Sequence, residues 1–433
     1  MNKHEFNLSK ARWIHIIPIV FITYSLAYVD RTNFGFAVAG GMAEDLNITS
    51  SMSSLLGSIF FLGYFCFQIP GAHYAEKNSA KKLIFWGLIL WGLFSSLTGL
   101  VSNVELLLVI RFLLGVVESV VLPGLLVLLG HWFTKKERSK ANTLLMLANP
   151  ITILWMSILS GYLIQTLGWR EMFFIEGFPS IIWAIVWWML IKDKPEEAKW
   201  LKQEEKISIQ LVLEREQAEI KPVPNYWAAF KSRNVLLLAP QYFLWNIGIA
   251  GFIMWLPTII KDLSKSGIGE TGLLSSVPYM LAIILMLIIS YISDKFQVRK
   301  LLVWPCLVIG AITLYFSYAL GDTNFLASFV MLTISGGIMF APIGTFMAIF
   351  PEILPRNVSG AAIALVNSMG ALGSFAGTYI VGYLNGITGN PGASFLLMAG
   401  ALIVAAILTM FVKVNSNVRK VEQNETLTGE NNI

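Results

Sequence analysis

From Asn357 to Val412 the chain contains no Asp, Glu, Lys or Arg. The run is too long for one crossing of ~30 Å of hydrocarbon and too apolar for a protein surface. It is broken once, by the turn-forming stretch Gly386-Ile-Thr-Gly-Asn-Pro-Gly392, which makes it two crossings joined by a tight loop. Ten more apolar windows precede it, so twelve spans are expected: 13–38, 52–72, 83–103, 106–130, 141–165, 173–191, 235–260, 271–292, 301–320, 325–350, 359–385 and 393–412. Charged residues make up only 13% of the chain, against roughly 25% in a soluble domain, and the mean hydropathy is +0.67. An all-α polytopic membrane protein follows. Disordered chains, secreted disulfide scaffolds and nucleic-acid-binding modules are excluded. Cys66 and Cys306 sit in apolar runs and His4, His15, His73 and His131 lack ligand spacing, so neither a disulfide nor a metal site is expected.

Basic residues give the orientation. Lys77, Lys81 and Lys82, then Lys135, Lys136, Arg138 and Lys140, then Lys295, Arg299 and Lys300, and Arg356 fall in alternate loops, whereas the opposite loops carry Arg170, Lys261 and Lys265. The positive-inside rule places both termini in the cytoplasm of a multi-pass inner-membrane protein. The basic start at Lys3, Lys10 and Arg12 resembles a signal peptide, but no small-residue cleavage site follows, and the segment is read as the first span. Between 192 and 233, nine basic and eight acidic residues mix with Pro195, Pro222 and Pro224, as expected of a partly helical cytoplasmic linker. The expected organisation is a six-helix half over 1–191, this linker, a second half over 234–414 and a tail over 415–433.

The halves repeat. An offset of 218 carries Glu76-Lys77 onto Asp294-Lys295, Lys81-Lys82-Leu83 onto Arg299-Lys300-Leu301, Trp86 onto Trp304, Gly92 onto Gly310, Arg138 onto Arg356 and Asn149 onto Asn367. Two parallel six-helix repeats describe a secondary transporter with its substrate site between them near mid-membrane.

Chemistry in such a chain is carried by charges left inside the hydrocarbon, each costing ~2.5–3.5 kcal/mol at the bilayer centre on insertion scales. Asp30 and Arg31 in span 1, with Arg111 and Glu118 in span 4, meet this description. Together they are neutral when all are ionised. Pairing that merely locks the two helices together is one reading, and a proton and anion site is the other. Arg111 and Glu118 share a helix face but stand ~10.5 Å apart along the axis, whereas Asp30 and Arg31 diverge by ~100°, an arrangement that favours a shared cavity over an obligate pair. Burial favours a neutral carboxyl and a neighbouring arginine favours a charged one, so such an acid can exchange a proton during a cycle. Arginine can grip a carboxylate with two parallel hydrogen bonds.

Tyr28-Val-Asp30-Arg31-x-Asn33, Gln68-Ile-Pro70-Gly71 and Arg111-x3-Gly115-x2-Glu118-x4-Pro123-Gly124 resemble the anion:cation symporter family of the major facilitator superfamily. So do His131-Trp132-Phe133-x3-Glu137-Arg138-x2-Ala141, Gly168-Trp169-Arg170-x-Met172-Phe173-x2-Glu176-Gly177 and Asp193-x-Pro195-x2-Ala198-x-Trp200-Leu201. The resemblance implies the major facilitator fold and proton-coupled import of a small organic anion, such as a hexonate, hexuronate or aldarate, by a monomer in the lipid bilayer. It gives Asp30 and Glu118 proton coupling, with H⁺ as coupling ion and no cofactor. Arg31 and Arg111 would recognise the anion, and Tyr28, Tyr64, Asn149 and Asn367 would touch substrate or bond between helices. In span 7, Gln241, Tyr242, Trp245 and Asn246 are candidates for contact or for aromatic packing. Gating would fall to Glu76, Lys77, Asp294, Lys295, Arg138 and Arg356. The chain departs from the superfamily's Asp, Arg and Gly pattern after span 2, so the second copy at Asp294-Lys295 keeps the motif better, and Thr134 replaces a usual proline. A multidrug/proton antiporter is the rival, although Asn149–Gly161 lacks its Gly-rich run; a membrane sensor that lost transport is another. An enzyme is not expected, because no nucleophile and base pair or cofactor motif occurs.

Overall fold

The computed structural model describes residues 10–218, 233–296, 298–321, 323–350 and 356–413, and these form helices and turns. Eleven helices are long and apolar enough to cross a membrane: α1 (Ala11–Asp45), α2 (Ser50–Lys77), α3 (Ala80–Leu100), α4 (Val104–Trp132), α5 (Lys140–Thr166), α6 (Trp169–Leu190), α7 (Arg233–Ser264), α8 (Ile268–Ser293), α9 (Arg299–Gly321), α10 (Phe325–Met347) and α12 (Gly392–Phe411). The remaining expected span, 359–385, lies within α11 (Arg356–Thr388), a helix of 33 residues. The twelve windows therefore each correspond to a helix.

Polar side chains fix several helix starts by satisfying orphan backbone amides. Thr49 Oγ1 accepts from Met52 N at 3.2 Å, Asn103 Oδ1 from Leu106 N at 2.8 Å and Asn324 Oδ1 from Ala327 N at 3.1 Å. Thr134 and Glu137 form a capping box ahead of α5, so threonine starts this segment as a side-chain cap. Large apolar side chains such as Ile185, Leu287, Phe316 and Leu396 point outward and stay exposed, as a lipid-facing surface requires.

Among the described residues four spans are interrupted by a turn. α1 opens at Asp30–Thr32, α4 at Ser119–Val120, α5 at Leu147 and α10 at Ala341–Pro342. In α4 the cause lies in the sequence: Pro123 has no N–H to offer the Ser119 carbonyl, and it occupies the first turn of the following segment, where a missing donor costs nothing. Pro342 acts similarly in α10.

The buried core is divided. One cluster, with Tyr24, Phe60, Leu88, Leu114 and Trp187, fills the first half and takes in Ala198, Leu201 and Ile209 of the linker. Trp200 of that linker stacks on Trp132 at 5.4 Å and on His15 at 4.2 Å. A larger cluster joins Phe34, Val38, Met42, Ile164 and Phe173 of the first half to Trp245, Phe252, Trp255, Tyr279 and Phe395 of the second. It seals the halves at the end opposite the termini, where Lys261 Nζ donates to the Ala39 carbonyl at 2.6 Å. Nearer the terminal end, Ser368 Oγ on α11 meets Gln68 Oε1 on α2 at 3.4 Å.

Candidate functional site

The site begins where α2 and α4 cross. A Cβ on Gly115 would collide with the Phe60 carbonyl, so only glycine lets the two backbones approach this closely. Arg111 and Glu118, one turn before and one after, are thereby pressed against α2. Arg111 is 2% exposed, its Nε donates to the Leu56 carbonyl at 3.3 Å, and its guanidinium lies 4.5 Å from the Phe34 ring and 5.4 Å from that of Phe60. Its Nη1 is buried without a hydrogen-bond partner among the described residues.

Glu118 ends the first segment of α4 and is fully buried. Arg31 Nε stands 3.5 Å from Glu118 Oε2, a charge contact, while neither carboxylate oxygen has a hydrogen-bond partner among the described residues. The Arg31 guanidinium is held between Tyr28 and Tyr64, each ring centroid at 4.7 Å, with Phe60 at 5.8 Å. Tyr242 of α7 faces Tyr28, Tyr64 and Arg31 from the second half. Its ring stacks on Phe346 at 5.1 Å. Arg31 thus sits where the halves meet, in an aromatic cage that stabilises a cation by its ring quadrupoles, opposite one weakly engaged carboxylate.

Asp30 turns the other way. Its Oδ1 accepts from Asn33 Nδ2 at 3.0 Å and from Ser95 Oγ on α3, within the first half. The break in α1 therefore sends adjacent charges to different places, Arg31 to the interface and Asp30 to the interior.

The other candidates separate. Asn149 faces the Tyr24 hydroxyl, and its Oδ1 has no hydrogen-bond partner among the described residues. Asn367, at the repeat-equivalent position, is half-buried on α11. Gln241 is fully buried with both amide atoms lacking partners among the described residues. Trp245 is fully buried and donates from Nε1 to the Met339 carbonyl at 3.2 Å, so it packs the second half, as does its neighbour Asn246 through the Tyr242 carbonyl at 2.8 Å.

Among the described residues, the candidate loop charges make separate contacts. Glu76 and Lys77 are exposed at the end of α2, and Lys295 lies 5.7 Å from the Tyr291 ring. The side chains of Asp294 and Arg356 lie outside the described residues. Arg138 donates to the Gly130 and Phe133 carbonyls at 3.2 and 3.3 Å and approaches Glu216 of the linker helix Gln203–Ala218 at 3.9 Å.

Two buried polar groups, both quoted in the sequence analysis, were not among its candidate site residues. Arg12, fully buried, binds Glu137 through Nη2–Oε1 at 2.8 Å and Nη1–Oε2 at 3.1 Å and donates to the Trp132 carbonyl at 2.6 Å. Partial burial pushes the Glu137 carboxyl up, but the hydrogen bonds and charge of Arg12 outweigh this and hold it below the ordinary carboxylate range. The second is Glu176 on α6, 6% exposed, which accepts from Ser160 Oγ at 2.7 Å. Its window, 173–191, was counted as a plain apolar span. The acid between Phe173 and Gly177 was the overlooked signal.

Broken helices that carry charge to a seam between two packed bundles define a membrane carrier. The sequence profile of the Major Facilitator Superfamily matches residues 20–378, and the chain belongs to that family. It is 32% identical over 407 residues to an Agrobacterium vitis protein provisionally named a tartrate transporter, covering 92% of each chain. It is 31% identical over 405 residues to a quinolone resistance transporter of Acinetobacter baumannii, covering 92% of this chain and 93% of the other. The fold also matches the crystal structure of a D-xylose-proton symporter with TM-score 0.75, at 14% identity over 93% of this chain and 98% of the other.

Proposed function

We propose that this transporter imports a small organic anion, a sugar acid or similar hydroxy-carboxylate, together with protons by alternating access. The observation that supports it most is the state of Arg31: a guanidinium at the seam of the halves, caged by Tyr28 and Tyr64 and facing, at 3.5 Å, a carboxylate without a hydrogen-bond partner among the described residues. A substrate carboxylate with two well-placed oxygens outcompetes so loose a partner. Glu118, left in an apolar setting as Arg31 turns to substrate, takes a proton, so anion and proton favour each other's binding. Arg111, Tyr242, Asn149, Asn367 and Gln241 supply further donors for hydroxyl groups. Both termini, the linker 192–233 and the tail 415–433 lie in the cytoplasm, the bundles 1–191 and 234–414 rock about the seam, and the carrier works as a monomer.

The resemblance to a quinolone resistance transporter favours a second reading, proton-driven efflux of an aromatic acid. Tartrate and quinolones share a carboxylate, so the Arg31 cage fits either, and the direction of coupling separates them. Proteoliposomes are to be screened with gluconate, galactonate, glucuronate, galacturonate, glucarate, tartrate and a fluoroquinolone. Accumulation of a sugar acid under an inward proton gradient, abolished by an uncoupler, is expected. Expulsion of the quinolone under that gradient, with no sugar acid accumulated, supports efflux. Accumulation driven by Na⁺ alone would remove the proton from the scheme.

A further inference from the structure

Glu176 changes the charge balance of the first half. With it, three buried carboxyls, on Asp30, Glu118 and Glu176, stand against two arginines, Arg31 and Arg111. Full ionisation would leave one uncompensated negative charge in the hydrocarbon, which costs far more than holding a proton.

The geometry says where that proton resides. Arg31 faces Glu118, and Arg111 on α4 acts on both Asp30 and Glu118. Among the described residues no ion pair reaches Glu176, Asp30 acts on it as a like charge, and the Asn33 amide donates to Asp30 at 3.0 Å. The other elements around the pair supply hydroxyls: Ser95 from α3 to Asp30 and Ser160 from α5 to Glu176. α3 comes this near because α6 carries Gly177 at the contact, where a Cβ would strike Ser95 and Ser96. Glu176 Oε2, Asn33 Oδ1 and Ser96 Oγ are all buried without hydrogen-bond partners among the described residues. The two acids are thus surrounded by hydroxyls and one amide, apart from the Arg31 cage.

We propose that Asp30 and Glu176, set on either side of the contact between Ser95 and Gly177, form a second proton-binding site that holds one proton in the substrate-free carrier. Two neighbouring carboxyls with no ion pair to Glu176 among the described residues do not both ionise in an apolar interior, and the proton belongs to the pair and not to either acid alone. The site is independent of which anion is carried. Glu118 is then the acid that answers to substrate at the seam, and the Asp30–Glu176 pair keeps the first half neutral, with its own proton tied to the α1 break on which Asp30 sits.

The test needs no substrate, so its failure is separate from failure of the transport reading. Infrared spectra of the purified, substrate-free protein in lipid are to be recorded at neutral pH, following the carbonyl stretch of a protonated carboxyl. We expect that band in the unmodified protein and in Glu118→Gln, its loss in Glu176→Gln, and a frequency shift in Ser160→Ala, where the acid remains but loses its hydroxyl donor. Absence of the band in the unmodified protein overturns the proposal, as does its persistence unchanged in Glu176→Gln. Should Glu176→Gln fail to fold, an unshifted band in Ser160→Ala overturns it instead. Disappearance of the band when NaCl replaces choline chloride makes the pair a sodium site and overturns the proton assignment.

Discussion

The two halves share a design and divide the chemistry. Both interrupt their fourth helix, α4 at Ser119–Val120 and α10 at Ala341–Pro342, and the repeat aligns Asn149 with Asn367. Yet every charge in the first half's polar interior, on Asp30, Arg31, Arg111, Glu118 and Glu176, is missing from the second. Among the described residues, the buried polar groups there are Gln241 and a set of Ser and Thr. Where Arg31 looks across the seam it meets Tyr242, stacked on Phe346. The difference teaches that a repeat preserves backbone features, such as breaks and close crossings, more readily than side-chain chemistry. In the proposed mechanism it also localises coupling, because proton and anion sites confined to one bundle interact over short distances while the other bundle responds by packing and hydrogen bonding.

The sharpest way to break this comparison is to remove one cation from the first half and one hydroxyl from the second. Arg31→Ala or Arg111→Ala is expected to weaken binding of the transported carboxylate about ten- to hundredfold, the equivalent of ~1.5–3 kcal/mol for a charge-assisted pair. Arg31→Lys should recover little, because the planar fork is lost. Tyr242→Phe removes a neutral donor and is expected to cost about two- to tenfold. Equal losses from both halves, measured by equilibrium binding on protein of unchanged melting temperature, would contradict the division.

Much of this was legible in the sequence because membrane solvation is a severe filter. Charge-free windows gave all twelve helices, and a charge inside one, as at Asp30-Arg31, had to be exceptional. The ~100° step between those two residues already implied that they part. What they part toward was not legible, since the turn at Asp30–Thr32 resets the helical phase. Glu176, though quoted in a motif, was not counted among the buried charges because one acid barely alters the hydropathy of a window rich in Phe, Ile and Trp. Glu76 and Lys77 are surface charges that nothing in their own helix positions, whereas Arg12 meets Glu137 across 125 residues of sequence, a pairing that no local pattern announces.

A smaller effect sharpens the role of the second half. Gln241 is buried with its amide oxygen and nitrogen both lacking hydrogen-bond partners among the described residues, and each such atom costs about 1–3 kcal/mol if nothing satisfies it. Gln241→Leu should leave the melting temperature in detergent unchanged or raised if the residue is only packing. If that amide serves the substrate, the same variant lowers affinity several-fold while the stability gain remains. A lowered melting temperature would show instead that the amide is already satisfied in the folded protein.

The smallest effect concerns the terminal end, where the halves anchor their helices differently. In the first half Arg12 forks onto Glu137, whose side chain is 23% exposed, while Thr134 N and Oγ1 donate to the same carboxylate at 3.1 and 3.0 Å. In the second half Arg299 donates to the Ala348 carbonyl. The folded Glu137 carboxyl is held below its ordinary value, so its contribution to stability is complete above the ordinary carboxylate range and is lost as pH falls through the lowered folded value. Partial exposure limits that contribution to the order of 1 kcal/mol. Glu137→Gln keeps a capping oxygen but gives up the charge. The melting temperature of the unmodified protein should therefore exceed that of Glu137→Gln at neutral pH, and the gap should close as the medium is acidified into the carboxylate range. A gap that stays constant across this titration would mean that the pair is held by shape and hydrogen bonding, with no charge contribution to distinguish the two ends.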